Sequence, residues 1–135
     1  MSVDDIGMAP AQASQSPLSY SQQRLWLFHQ LKPESLAYNN GGLLWLTGKD
    51  VSSTGIQSAY QAMLDHFSGY RLRFNQRNGE PYQYIASPDV TPLEILDFSQ
   101  HADPAAAVQQ DAKARALAPY ALLGHSLVRG CIYHL

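Results

Sequence analysis

Apolar residues recur along the chain with two periods, and the switches between them predict its elements. In "PLSYSQQRLWLFHQLKP", Ser19 and Gln22 have capping-box spacing, and Leu25, Trp26, Phe28 and Leu31 follow at helical intervals. Pro33 ends that helix by disfavouring the helical conformation at Lys32. "YNNGGLLWLTG" carries turn residues and then a short apolar run closed by Gly48, which predicts a strand. Thr54 and Gln57 make a second capping box, and Ile56, Ala59, Tyr60, Met63 and Phe67 repeat at i, i+3, i+4, i+7 and i+11, the clearest amphipathic helix in the chain.

The period then shortens. "YRLRFNQRNGEPYQYI" sets Asn78-Gly79, a strong hairpin signal, between two runs of alternating aromatic and polar residues. "TPLEILDFS" predicts a further short strand. Asp103 followed by Pro104 opens a helix that runs to Ala118 before Pro119, with Asp111 and Arg115 spaced for an i,i+4 pair. After the turn residues of "GHS", the run from Leu127 to Leu135 predicts a terminal interior strand. Helix, strand, helix, hairpin, strand, helix, strand is the order of an α/β sandwich or an α+β one, with helices covering a mixed sheet of at least four strands.

Length and composition narrow this picture. The 135 residues suit one domain, with residues 1–16 read as a flexible leader too poor in apolar surface to offset ordering entropy. A net charge of −2 with scattered Lys and Arg gives no electrostatic footprint for nucleic acid or an anionic membrane. No stretch approaches the roughly 18 apolar residues of a membrane span, and the expected location is cytoplasmic. The single cysteine, Cys131, reads as a core thiol rather than half of a disulfide.

Candidate chemistry is sparse. His29, His66, His101, His125 and His134 lack metal-ligand spacing, and the chain has no G-x-S-x-G elbow. Ser126 and His125 are sequence neighbours, which point to opposite faces of a strand and make a poor nucleophile and base. No residue is assigned a catalytic or metal-binding role. Trp26, Phe28, Trp45, Tyr60 and Phe74 either fill the core or line a pocket. Arg71 and Arg73 share a strand face, either solvated or with one of them turned inward to hold a carboxylate.

The residues resemble a known family. "LSYSQQRLWLFHQL" is similar to the opening motif S-x-A-Q-x-R-L-W-x-L of the condensation domains of non-ribosomal peptide synthetases, carried here by Ser19, Gln22, Arg24, Leu25 and Trp26, with Ser21 in the alanine place. "PESLAYNN", "NGEPYQYI" and "PYALLGHSLVRGCIYHL" are similar to further segments of the family, collinear from about Pro17 to Leu135. Where the family writes R-H-E-x-L-R-T-x-F, "HFSGYRLRF" keeps Arg71 and Phe74 but has Phe67 and Ser68 for the His-Glu pair; Ala121 stands where the family has aspartate.

The resemblance implies a chloramphenicol-acetyltransferase-like fold, of which this chain is an incomplete N-terminal half, with the partial domain over residues 17–135. The family's H-H-x-x-x-D-G motif, which supplies the active-site histidine, would follow the terminal strand, so the chain alone is expected to be inactive. Arg71 is implied to be structural, the partner of that motif's aspartate, and therefore unpaired or exposed here. The implied partners are peptidyl or acyl carrier proteins, whose phosphopantetheine arms bring the thioesters, and the rest of a synthetase; no cofactor is expected to bind directly. An alternative is a degenerate, non-catalytic module that binds a carrier protein or partner synthetase. An unpaired sheet edge would open either form to self-association.

Overall fold

The computed structural model describes residues 14–89 and 92–135, so most of the expected leader lies outside the described residues. The elements are β1 (Ser16–Pro17), α1 (Tyr20–Leu31), α2 (Ser53–His66), β2 (Leu72–Arg77), β3 (Glu80–Ile85), β4 (Glu94–Asp97), α3 (Pro104–Ala116) and β5 (Cys131–His134), with a 3-10 turn over Ser68–Arg71. They fall into two compact units. Of the described residues, one combines 14–34 with Met63–Asp89 and Tyr120–Arg129; the other combines Ser35–Ala62, 92–119 and Gly130–Leu135.

The first unit is organised by the hairpin. Asn78 (φ 53) and Gly79 (φ 84) both take left-handed backbone angles, and a two-residue turn of this kind matches the twist of its strands. Register follows from Arg77 opposite Glu80 back to Leu72 opposite Ile85. β1 pairs with the far side of β3, placing Ser16 opposite Gln83 and Pro17, as an edge position allows, opposite Tyr82. The resulting antiparallel sheet has the order β1-β3-β2. On the open side of β2, the Gly124 amide donates to the Phe74 carbonyl at 2.7 Å, and Leu123 bridges Phe74. Leu18, Trp26, Leu64 and Tyr84 are the buried apolar side chains, and the Trp26 and Phe74 rings lie 6.4 Å apart in a tilted pair.

The second unit holds β4 and β5 as a parallel pair, in register from Glu94 opposite Cys131 to Asp97 opposite His134. Parallel neighbours cannot be joined by a tight turn, and α3 occupies the crossover between them in sequence. As the Asp-Pro signal predicts, Asp103 Oδ1 accepts from the Ala106 amide at 3.0 Å, with Pro104 in the first turn. At the other end, Asn39 Nδ2 donates to the carbonyls of Ala116 and Ala118, at 3.0 Å each, closing helix-terminal groups that have no partner within the helix. Val108 and Ile132 are buried.

Several expectations are corrected. The described strands form one three-stranded and one two-stranded sheet, not a single sheet of four or more. Residues 43–47 form no strand: none of the described residues pairs with them, and a strand exists only through its ladder. Leu44, Trp45 and Leu46 are exposed, at 78%, 47% and 50%, so Trp45 does not fill the core. α2 is capped by Ser52, whose Oγ accepts from the Gly55 amide at 3.1 Å, while Gln57 Oε1 accepts from Leu93 at 2.6 Å instead of closing a capping box. Phe67 lies beyond α2 and is exposed, and Leu64 takes the buried place. The terminal strand starts only at Cys131, which is half-buried; Leu127 and Val128 precede it in a loop.

Replacing Gly79 by Val should lower the free energy of unfolding by about 2 kcal/mol, because a β-branched residue is strained at this positive φ. Urea denaturation of both chains checks it, and an unchanged midpoint would mean that the turn does not set the hairpin.

Candidate functional site

The conspicuous sequence motif proves to be a hydrogen-bond relay. Ser19 Oγ accepts from the Gln22 amide at 3.2 Å, and Gln22 Oε1 accepts from the Ser19 amide at 2.7 Å, the reciprocal box its spacing predicts. The remaining polar atom of Gln22 extends the chain of bonds: Nε2 donates to Gln83 Oε1 at 2.8 Å, and Gln83 Nε2 donates to the Pro17 carbonyl at 2.9 Å. One glutamine thus caps α1 and ties it to β3. A glutamate could form the cap but could not donate onward. Of the other motif residues, Trp26 is buried, whereas Arg24 and Leu25 are exposed.

Arg71 sits at the end of the 3-10 turn rather than on the face of β2 with Arg73. Its Nε donates to the Ala86 carbonyl at 3.0 Å, and Nη1 donates to the carbonyls of Asp65, at 2.9 Å, and Leu64. The expectation of an unpaired or exposed arginine is therefore corrected. A helix leaves its last carbonyls without internal donors, and the planar guanidinium of half-buried Arg71 supplies them at the end of α2 while holding the chain just beyond β3. Arg73 Nη1 donates to the carbonyl of its neighbour Leu72 at 2.9 Å.

In the second unit, charged and hydroxyl groups gather around β5. The Tyr133 hydroxyl donates to Asp111 Oδ2 at 2.7 Å; Arg115 Nε donates to the same oxygen at 2.7 Å, and its Nη1 to Glu94 Oε2 at 2.7 Å. Phe98 meets the Tyr133 ring edge-to-face with centroids 5.2 Å apart. The next residue is held too, by a hydrogen bond of 3.1 Å linking His134 Nε2 and Ser53 Oγ. The Tyr133 hydroxyl and Arg115 keep the Asp111 carboxyl below the usual carboxylate range, and burial is the main cause that pushes the Tyr133 hydroxyl up. Asp97 is also lowered, chiefly by its hydrogen bonds with Ser99 and less by the nearby His134. Sequence reasoning found only the Asp111–Arg115 pair. The Tyr133, Ser53 and Gln83 contacts join residues 22, 81 and 61 positions apart and leave no local signal.

Among the described residues no group of His, Cys, Asp and Glu could hold a metal ion. Ser126 is not set against His125; its Oγ donates to the Val128 carbonyl at 2.7 Å, a local turn contact. No described helix is long and apolar enough to cross a membrane.

The family model for the condensation domain matches residues 12–135. This chain belongs to the condensation-domain family. Tyrocidine synthase 3 of Brevibacillus parabrevis is 31% identical over 62% of the chain, and the phosphinothricin tripeptide synthetase PhsC of Streptomyces viridochromogenes is 34% identical over 67% of it. The chain spans 1% and 8% of these relatives. Among solved structures, the starter condensation domain of rhizomide synthetase RzmA matches with a TM-score of 0.67 and 27% identity, over 82% of the chain and 27% of that domain's chain. The first condensation domain of the calcium-dependent antibiotic synthetase shares the fold, with a TM-score of 0.67 at 19% identity, over 90% of the chain and 31% of its own. The chain is thus a segment of a condensation domain, in the α/β fold of that family.

Two measurements probe this segment. Arg71→Met should cost about 2–3 kcal/mol, because it removes the guanidinium donors from carbonyls at the end of α2 and beyond β3, and urea denaturation reads it directly. Asp111 has a folded pKa below its unfolded one. Its stabilisation is therefore complete above the ordinary carboxylate value of about 4 and is lost as pH falls through the lowered value. Tyr133→Phe removes the largest cause of that lowering. The loss of stability between about pH 5 and about pH 2 should be shallower in that variant than in the parent chain.

Proposed function

We propose that this segment forms the early part of a condensation domain that joins carrier-bound acyl or aminoacyl thioesters by amide-bond formation. The observation that carries the reading is the family match over residues 12–135, supported by the likeness to the starter condensation domain at 27% identity. In the reaction an acceptor amine attacks the thioester carbonyl carbon of the donor. The C–N bond forms, the C–S bond breaks, and the phosphopantetheine thiol leaves with a proton. The substrates arrive on carrier-protein arms, so the chain needs no cofactor of its own.

This chain's residues act as the frame in this reading. Ser19, Gln22 and Trp26 fix α1 on the hairpin, and Arg71 and Phe74 are structural rather than catalytic. β5 leads toward the active-site histidine supplied by the polypeptide beyond it. The arrangement of Arg71 supports this role with one amendment: carbonyls already occupy the guanidinium, so an aspartate of the central motif would join existing partners rather than replace an absence. By itself the chain offers a developing oxyanion no assigned base or donor, and we assign the 135 residues no turnover of their own.

The test compares the 135-residue chain with the complete domain carrying it, each supplied with donor- and acceptor-loaded carrier proteins, and detects the amide product by mass spectrometry. Product from the complete domain and none from the chain alone is the expected result. Turnover by the isolated chain would overturn its role as a frame. Carrier binding without turnover by the complete domain would favour a non-catalytic docking module.

A further inference from the structure

The last residues of β5 are held from both faces of the strand. Consecutive strand residues point to opposite sides, and here each side has its own anchor. The Tyr133 hydroxyl reaches Asp111 on α3, and the His134 ring meets Ser53 in the first turn of α2. The Phe98 amide donates to the His134 carbonyl at 2.8 Å, carrying the β4–β5 ladder one residue past the strand. Asp111 is tied through Arg115 to Glu94, the first residue of β4. The bonds therefore close a circuit from β5 to α3 to β4, whose paired register returns to β5.

Burial cannot explain this arrangement. The Arg115, Asp111 and Glu94 side chains are 42%, 35% and 55% exposed, and ion pairs so solvated add little stability. Their three links of 2.7 Å, with Arg115 bonded to both carboxylates, instead fix geometry. A pair of four-residue parallel strands with one buried residue, Ile132, has little else to prevent a slip of register, and a one-residue slip would turn every side chain of β5 to the other face.

We propose that Tyr133, Asp111, Arg115 and Glu94 on one face of β5, with Ser53 and His134 on the other, form a two-sided clamp that sets the register and exit direction of the strand. Tyr133, Asp111 and Ser53 are thereby positioning residues for the amide-forming reaction, touching no substrate. This consequence rests on the functional reading above, because only there does the strand lead to the reacting groups.

Two measurements keep the readings separable. In the 135-residue chain, amide exchange of residues 131–135 is followed in Tyr133→Phe, which keeps the ring against Phe98, in Ser53→Ala and in the double variant. Each single variant should speed exchange in this segment while the hairpin at 72–85 stays unchanged, with the double variant fastest. Unchanged exchange in all three overturns the clamp. In the complete domain, condensation kinetics are taken well below the unfolding temperature, where a residue serving only stability would leave kcat unmoved. Tyr133→Phe should reduce kcat by about tenfold or more, with KM for the carrier-bound substrates within about twofold. A lowered unfolding temperature with parental kcat overturns the positioning role. A parent domain that makes no amide overturns the functional reading and the catalytic consequence together, and the exchange experiment then decides the clamp alone.

Discussion

The left-handed turn at Asn78 and Gly79 is the constraint from which the first unit is built. Once both residues take positive φ, Arg77 must face Glu80, and every later pair is counted from there. That count sets Gln83 where Gln22 and the Pro17 carbonyl can bond it, Phe74 where Trp26 can pack, and Tyr84 among the buried side chains. It also brings Ala86 to the Arg71 guanidinium, so the end of α2 is satisfied by a residue whose own position the turn determines. A register error of one residue would undo the relay, the ring pair and the carbonyl cluster together.

The second unit solves a different problem. Its strands are parallel and short, and no turn fixes their offset. Side chains do that work: Glu94 at the head of β4, Tyr133 near the end of β5, and an acid and a base one helical turn apart on α3. The first unit is thus specified by backbone conformation and the second mainly by charge and hydroxyl contacts.

What could be read in the sequence follows from range. The box at Ser19 and Gln22, the Asp103 cap, the Asn-Gly hairpin and the Asp111–Arg115 pair are settled within a few residues, and each stands where its pattern placed it. The family, too, was legible, because its motifs are contiguous. The strand expected at 43–47 failed because apolarity permits pairing but does not supply a partner. Gln57 had cap spacing, but its side chain found the Leu93 amide, 36 residues away. Arg71 departs from expectation because the motif that marks its aspartate partner says nothing of the backbone carbonyls that occupy the guanidinium.

The uncovered run around Leu44, Trp45 and Leu46 bears on how the 135-residue segment behaves when it is handled by itself. It is short, rich in large apolar groups and free of charge between Leu43 and Thr47, with its side chains open to water. Short, apolar, uncharged segments left exposed are prone to pair with one another between copies. In the 135-residue segment taken by itself these positions belong to no described element and are open to such pairing. Lys49 and Asp50, immediately beyond Gly48, are the nearest charges available to keep neighbouring copies apart.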